Sequence, residues 1–267
     1  MENIIYPKVE IKQLAFKSNS EYIDITAKKA IVNPETDEIF TIVGDDYDIV
    51  AHEDVAKLVG EAAHSFPEYG NPTTQITLIN GGVSGKVYGS KMAIKVQFEK
   101  IQHNISKNKA VGDYVNPVIH FFNSYDQSWA LKGIFGAFRL VCSNGMVIGE
   151  KFAHYRKEHH QNASIDDLRN VIQVGMTNYS ERVELWKGWL DIILDDKTKT
   201  DIIDDMGFNK TETEEITELQ EEASHQTVND TINKWIFVNI LTQYITHHVK
   251  SDLKKIKLQD KLGRLTQ

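Results

Sequence analysis

The chain has 267 residues, of which 41% are hydrophobic and 25% charged, and its net charge at pH 7 is −8. A chain of this length can bury about 70–75% of its unfolded surface in a hydrophobic core, as one large domain or as a domain with an appended helical part. No apolar run approaches the ~20 residues of a membrane helix, and the first residues lack the order of a signal peptide. A single cysteine excludes an internal disulfide, so we expect a protein of the reducing cytoplasm with no membrane partner.

Charge is distributed unevenly along the chain. Residues 86–160 carry a net charge of +6 and residues 231–267 carry +5, whereas residues 1–85 carry −8 and residues 161–230 carry −11. The overall charge argues weakly against a nucleic-acid-binding protein, but an ordered basic face on an acidic protein is a common electrostatic footprint of one. Charges that cluster by chance on solvated faces would give the same pattern.

The first predicted elements are a β-hairpin and a helix. IDITAKKAIV and EIFTIV flank the segment 33–37, whose Asn, Pro and Asp are typical of a turn. In HEDVAKLVGEAAHSF (52–66), apolar residues recur at helical spacing.

The clearest β signal lies in residues 73–100. Every second residue from Met92 to Phe98 is large and apolar, and Lys91 and Lys95 alternate with them. This alternation predicts a half-buried strand with a basic outer face, preceded by a Gly-rich turn. VNPVIHFF (115–122) predicts a further strand.

Residues 138–149, FRLVCSNGMVIG, predict a second hairpin with Asn144-Gly145 at its turn, because both residues tolerate positive φ. Cys142 lies on the apolar side of the first strand, so we interpret it as a small buried side chain. The alternative is a Cys/His hydrolase in which a histidine deprotonates Cys142. Nothing in the sequence orients a histidine for this role, so we assign no catalytic residue and favour a protein that is not an enzyme.

The hydrophobic period becomes helical from residue 164 onward. We predict a helix to about residue 195, an acidic connection at 195–211, an acidic helix at 211–224 and one long buried helix at 228–254. The fold class is therefore α+β, with an antiparallel, β-rich N-terminal two-thirds followed by long helices. We expect a β-rich core domain at 1–160 and, packed on it, a helical part at 161–267 with an acidic segment at 195–224.

The sequence offers only weak candidates for metal and cofactor sites. It contains no Walker A motif, no G-x-G-x-x-G and no HExxH. HYRKEHH (154–160) supplies three histidines, but a zinc site needs a fourth ligand, and the acidic cluster at 195–205 lacks the spacing of a calcium loop. We therefore assign no metal site and expect no cofactor.

Basic and aromatic residues are interleaved in the β-rich part. Cations can follow the phosphates of a single strand while rings stack on its bases, at about 1–3 kcal/mol for each base. An ordinary sheet with buried aromatic residues would show the same composition, and the directions of Tyr125 and Trp129 are open at this point. The predicted nucleic-acid-binding residues are Lys91, Lys95, Lys107, Lys109, Asn123, Tyr125, Lys132, Arg139, Asn144, Lys151, Arg156 and Lys157.

Three segments carry a resemblance to a known family: PETDEIFTIVGDDYDIVAHEDV (34–55), NSYDQSWALKGIFGAFRLVCSNGM (123–146) and KFAHYRKEHH (151–160). Over roughly residues 25–195 the chain resembles domain-of-unknown-function family 932, which is carried by phages, plasmids and integrated elements. The family's Asn-Ser-x-Asp segment is matched at 123–126 and its Arg-x-Val-Cys-x-Asn segment at 139–144. His159-His160-Gln161 stands where the family usually has a His-Thr step.

The resemblance implies a mobile-element context but no activity, because the family has none that is agreed. It also leads us to expect that 196–224 and the last helix are specific to this branch. The leading hypothesis is a phage-type protein that binds and anneals single-stranded DNA in recombination, as a homo-oligomer. The alternatives are a counter-defence protein that binds a host protein through its acidic helical segment, and the Cys/His hydrolase. An Arg139 buried against an acid such as Asp126 would be structural instead.

Overall fold

The structure, a computed structural model, describes residues 4–106, 113–139, 144–147, 154–157, 165–225, 227 and 231–265. At 138, 139, 144–147, 154–157 and 165 it describes the backbone alone.

A small antiparallel sheet opens the chain, with strands in the order β1 (Glu10–Ser18), β2 (Glu21–Val32) and β3 (Ile39–Gly44). The predicted hairpin around 33–37 is confirmed as β2 and β3, while β1 was not predicted. Asn19 and Ser20 join β1 to β2 with φ angles of 47° and 75°. Two consecutive left-handed residues are the geometry that matches a hairpin turn to the twist of its strands.

A larger antiparallel sheet, the main sheet, forms the centre of the molecule. Its main path runs β10-β8-β7-β5-β4, with β6 paired to β7 and β9 paired to β8. The helix predicted at 52–66 is confirmed as α1, which ends at His64. The elements of this part are α1 (His52–His64), β4 (Thr73–Gly81), β5 (Val87–Gln97), β6 (His103–Asn104), β7 (Tyr114–Ser124), β8 (Leu131–Arg139), β9 (Asn144–Val147) and β10 (His154–Lys157).

The hairpin formed by β8 and β9 does not turn where the sequence predicts. Arg139 lies opposite Asn144, and Phe138 lies opposite Gly145, so Asn144 and Gly145 are strand residues. The predicted turn at Asn144-Gly145 is therefore wrong. Pairing with β8 places Asn144 and Gly145 in β9, and this cross-strand register outweighs their local turn preference. Cys142 lies outside the described residues.

Five helices complete the described chain: α2 (Ile165–Trp189), α3 (Asp196–Met206), α4 (Lys210–Ser224), α5 (Lys234–His247) and α6 (Asp252–Leu265). Two predictions are corrected here. The predicted connection at 195–211 contains α3, which begins at an Asp195 cap and ends at a left-handed Gly207. The long helix predicted at 228–254 is two helices, because α5 ends at His247 and α6 begins at Asp252.

Helices α1 and α2 cover one face of the main sheet, the inner face, and the contact between α2 and β8 is close. A Cβ on Gly175 of α2 would lie 2.2 Å from the ring of Phe135, and one on Gly133 would lie 2.8 Å from Phe121. One hydrophobic core extends from α1 through the sheet to α2, α5 and α6, so the β-rich and helical parts share it. The boundary predicted at 160 falls outside the described residues. Within the described part, no helix is both long and apolar enough to cross a membrane.

Candidate nucleic-acid interface

The face of the main sheet turned away from α1 and α2 is here called the outer face. It is formed by the odd-numbered residues of β4 and β5 and the even-numbered residues of β7 and β8, since successive side chains alternate between faces. Cross-strand register sets Lys95 opposite His120, and Phe122 opposite Lys132. None of the strand residues described on this face is acidic. Val118, Phe122 and Ile134 on this face are buried, at 3% exposure or less, whereas Lys95 and Lys132 are half-buried. Only the part of the face around these two lysines is thus a candidate surface for an anionic ligand.

Lys91 belongs to the outer face but is not part of a solvated basic surface. Its side chain is 8% exposed and forms an ion pair with Asp126, whose side chain is 9% exposed. Asp126 also accepts hydrogen bonds from the Ser90 hydroxyl (2.8 Å) and from the backbone N–H groups of Gly82 (3.2 Å) and Ser128 (3.1 Å). The predicted exposure of Lys91 is therefore corrected, and the acid considered as a partner for Arg139 is bound to Lys91 instead.

The pKa of Asp126 reflects this arrangement. Burial by itself raises the pKa of a carboxyl group, but the hydrogen bonds from Lys91, Ser128, Ser90 and Gly82 outweigh burial and hold the pKa at about 2. Asp126 is thus a carboxylate at neutral pH, and the positive charge of Lys91 is locally neutralised.

Asn123 and Tyr125 also lie in the interior, with exposed fractions of 0% and 2%. The Tyr125 hydroxyl accepts a hydrogen bond from the backbone N–H of His52 (2.6 Å), and its ring stacks on the His52 ring at 3.9 Å between centroids. The Asn123 amide donates to the Val50 carbonyl (2.8 Å) and lies 3.0 Å from Nδ1 of His52. Both predicted binding residues therefore serve to join β7 to the start of α1.

The same contacts fix the state of His52. Its Nε2 lies 3.0 Å from the Gly89 carbonyl oxygen, which can only accept, so Nε2 carries the proton. Nδ1 is then free of hydrogen and accepts from the Asn123 amide. Burial raises the pKa of Tyr125 to about 12, so its hydroxyl stays protonated at neutral pH. His52 was missed from the sequence because its partners lie more than 30 residues away along the chain.

Lys95 and His120 form the centre of the outer face. Lys95 is half-buried; burial lowers its pKa, and the charge of Glu99 opposes this shift. Burial and, to a smaller extent, the charge of Lys95 lower the pKa of His120 to about 4, so the ring is neutral at pH 7. Nε2 of His120 is buried and makes no hydrogen bond to any residue that the structure describes. Strand alternation in VNPVIHFF was the signal that could have placed His120 here.

Lys132 and Trp129 lie at one end of the outer face, beside Phe122. The ammonium of Lys132 sits 5.2 Å from the centroid of the Phe122 ring, and Trp129 meets that ring edge-on at 5.5 Å. Lys132 and Trp129 are each half-buried, whereas Phe122 is buried. The Ser124 hydroxyl donates to the Trp129 carbonyl (2.9 Å) and accepts from its N–H (3.0 Å), which fixes the backbone there. A cation and an indole ring therefore both contact the Phe122 ring.

For the remaining predicted nucleic-acid-binding residues, the structure describes either the backbone alone or nothing. Arg156 occupies the position opposite Lys132, and Lys157 the position opposite Leu131. Arg139 and Asn144 lie opposite each other at the ends of β8 and β9. Lys107, Lys109 and Lys151 lie outside the described residues.

Metal ligands do not gather in the part of the chain that the structure describes, where no group of three or more His, Cys, Asp or Glu could hold an ion. Of the histidines in HYRKEHH, His154 belongs to β10, and His159 and His160 lie outside the described residues.

Comparison with known proteins gives one match, to a family model described as Domain of unknown function (DUF932), over residues 40–266. Neither the curated proteins nor the solved structures contain a match. The matched region includes α3 to α6, which corrects the expectation that 196–224 and the last helix are specific to this branch. Strands β1 and β2 precede it. Because the match covers well over half of the chain, the protein belongs to the DUF932 family.

Proposed function

We propose that this protein binds nucleic acid, and single-stranded DNA in particular, along the outer face of the main sheet. The observation that carries the proposal is the combination of Lys95, Lys132 and the half-buried Trp129 on a face whose described strand residues include no acid. Cations placed along a surface attract the phosphate backbone, and an indole ring offers a stacking platform to a base of any sequence.

The shape of the surface favours a single strand over a duplex. The main path of the sheet has five strands, and at ~4.8 Å between neighbours their axes span about 19 Å. The major groove of DNA is about 12 Å wide and admits a helix or a two-stranded ribbon, but not a face of this width. A single strand can follow Lys95 and Lys132, the half-buried cations of this face, and turn its bases toward Trp129.

Annealing requires that two strands be presented to each other, so we propose in addition that the protein acts as a homo-oligomer. In α4, Glu214, Glu218, Glu221 and Glu222 are exposed and recur at the spacing of one helix face. A head-to-tail arrangement could set this acidic face against basic residues of the next copy and leave the outer face for DNA. Light scattering after size exclusion tests this part: a strict monomer with and without DNA contradicts it.

The binding proposal is tested by fluorescence anisotropy with a labelled single-stranded oligonucleotide at several salt concentrations. Methionine keeps most of the lysine stem and removes the charge, so Lys95→Met/Lys132→Met is the informative variant. Each phosphate contact adds about 0.7 to the log–log salt slope of a single strand, so losing two contacts should flatten the slope by about 1.4. Lys28→Met/Lys57→Met, at two exposed positions on β2 and α1, is the matched control.

Two results would contradict the proposal. One is equal affinity and equal salt slope for the wild type, the variant and the control. The other is the absence of oligonucleotide binding at low salt, which would favour the second candidate function, binding of a protein through the acidic helices α3 and α4.

A second candidate function is capture of a host protein through α3 and α4. The observation that favours it is the exposure of Asp204, Asp205, Glu218, Glu221 and Glu222, none of which has an ion-pair partner among the described residues. Such a surface could imitate the charge of DNA. Glu218→Gln/Glu221→Gln/Glu222→Gln should abolish capture of a partner from host extract, with Glu53→Gln/Glu61→Gln on α1 as control; unchanged capture would argue against it.

A further inference from the structure

We infer that the hairpin of β1 and β2 ends in an arm that joins one copy of this chain to the next, with β1 of one copy pairing along the free edge of β2 of its neighbour. The inference rests on the homo-oligomer of the proposed function, because it names a surface through which copies join, and it does not require DNA binding. The arm is residues 14–25, beyond the bulge between Gln13 and Leu14. It lies outside the family match, which begins at residue 40.

Both edges of the arm are open along the part that the structure describes. In the small sheet β1 is an edge strand, and β3 pairs only with residues 28–32 of β2. Residues 21–27 of β2 are all exposed. The N–H and C=O groups of an edge are a template for another strand, and a two-stranded hairpin is only marginally stable by itself. A further strand along either edge would therefore stabilise the arm.

One face of the arm is apolar although it lies in solvent. Cross-strand register sets Leu14 opposite Ile25, and Phe16 opposite Ile23. Phe16, Ile23 and Ile25 are 50%, 46% and 38% exposed. An added strand would bring new cross-strand neighbours to these side chains and remove part of their surface from water.

The charges of the arm favour a second copy of the chain as the partner. Its β1 strand carries Lys17, whereas its β2 strand carries Glu21 and Asp24, and all three are exposed. One edge is therefore basic and the other acidic. Pairing β1 with β1, or β2 with β2, would bring like charges together, whereas pairing β1 with β2 of the next copy brings opposite charges together.

One antiparallel register satisfies the charges and the apolar face together. It sets Lys17 of one copy opposite Asp24 of the next, on the polar face of the arm. The same register sets Phe16 opposite Ile25 of the next copy, on the apolar face. Both pairs keep to one side of the joined sheet, because Lys17 and Asp24 share one face of the arm and Phe16 and Ile25 share the other.

This register also fits the length of the open edge. It pairs residues 14–18 with residues 23–27 of the next copy, and β3 begins its own pairing with β2 at Lys28. The contact is head-to-tail, so each copy uses both edges, and assemblies of more than two copies follow. So short a contact is smaller than the ~800 Å² per partner of a standard interface, and we expect association that depends on protein concentration.

The experiment measures average mass by light scattering after size exclusion, over a series of protein concentrations at low salt. Lys17→Glu and Asp24→Lys each set like charges opposite one another across the contact, and each should weaken association about tenfold. An equimolar mixture of the two variants restores opposite charges at every contact, so its mass should return to that of the wild type. Mixing cannot restore a contact within one chain, so this recovery is specific to a contact between copies.

A second variant tests the apolar face. Phe16→Thr/Ile25→Thr keeps residues that favour strands and should weaken association about tenfold or more at an unchanged urea midpoint of unfolding. Ile42→Thr is the matched control, because Ile42 is 47% exposed on β3 of the same sheet but lies outside the arm. Its association should equal that of the wild type.

The outcomes separate this inference from the rest of the proposed function. A wild type that is monomeric at every concentration overturns the arm contact and the homo-oligomer, and leaves DNA binding to the anisotropy measurement. A wild type that stops at two copies overturns the head-to-tail arrangement. Association that is unchanged in all arm variants overturns the arm contact and leaves the contact through α4. Unchanged mass of Phe16→Thr/Ile25→Thr with loss of oligo-dT binding assigns the arm to nucleic acid and also overturns the inference.

Discussion

The buried ion pair between Lys91 and Asp126 gives the sharpest test of how the outer face is supported. Asp126→Asn keeps the shape of the side chain and leaves the Lys91 charge buried without its carboxylate. Removing one partner of a buried pair costs about 3–5 kcal/mol, because the remaining charge is uncompensated. The pKa of Asp126 gives a separate figure: a fall from 3.8 to about 2 corresponds to about 2 kcal/mol of stability that depends on ionisation.

The sign of the pH dependence follows from the lowered pKa. The folded protein holds Asp126 ionised more strongly than the unfolded chain does, so this stabilisation is fully present above the unfolded pKa of 3.8. It is lost as the pH falls from about 4 toward 2. The difference in unfolding free energy between wild type and Asp126→Asn should therefore be large at pH 7 and shrink in that range.

Urea unfolding followed by tryptophan fluorescence, at pH 7 and at steps down to pH 2.5, measures this difference. Asp37→Asn is the control, because its exposed ion pair with Lys12 should contribute little. Lys91→Met/Asp126→Asn should recover part of the loss, since neither charge remains. An Asp126→Asn protein that is as stable as the wild type at pH 7, or a difference that persists unchanged at pH 2.5, would refute the reasoning.

Two further predictions concern the close contacts of the core. Gly175→Ala should destabilise the protein by about 1–3 kcal/mol, because the new methyl group would overlap the Phe135 ring. Gly188→Ala in the same helix meets nothing within 4 Å and should stabilise it by up to about 1 kcal/mol, so equal urea midpoints for the two variants would contradict the packing described. Tyr125→Phe removes the acceptor of the buried His52 N–H and should cost about 1–3 kcal/mol in the same assay; no loss would show that another group satisfies it.

The elements with strong local patterns are those that the sequence predicts correctly. Strict alternation identifies β5, and a turn rich in Asn, Pro and Asp identifies the hairpin of β2 and β3. The errors arise where tertiary contacts outweigh local preference. The Asn144-Gly145 pair is a strong turn signal, but its pairing with Arg139 and Phe138 of β8 makes both residues part of a strand.

The candidate site was harder to predict than the fold. Alternation shows which residues share a face, but not what lies against that face. Lys91 and Lys95 alternate with the same apolar residues, yet one is neutralised by an acid 35 positions along the chain and the other lies beside His120. For the same reason the sequence could not decide whether Tyr125 points to solvent. Its partner His52 is 73 residues away, and only the packed chain brings them together.

Two segments that carry the family resemblance meet in the interior rather than on the proposed binding surface. His52 from the first contacts Asn123 and Tyr125 from the second, and Asp126 anchors the turn that follows β7. That turn ends at Trp129, so the interior contacts set the position of the ring beside the outer face.

This arrangement distinguishes residues that position the proposed surface, such as Asp126, from residues that would contact the ligand, such as Lys132. Binding data can test the distinction. Asp126→Asn should weaken oligonucleotide binding only together with a loss of stability, because Asp126 acts through the placement of Trp129. Lys132→Met should weaken binding at a nearly unchanged urea midpoint, because methionine keeps most of the apolar stem beside Phe122 and removes only a half-exposed ammonium. Measuring both variants at a temperature where each is fully folded removes the stability effect. If Lys132→Met lowers the urea midpoint as much as Asp126→Asn does, the division between an inner support and an outer contact surface is wrong.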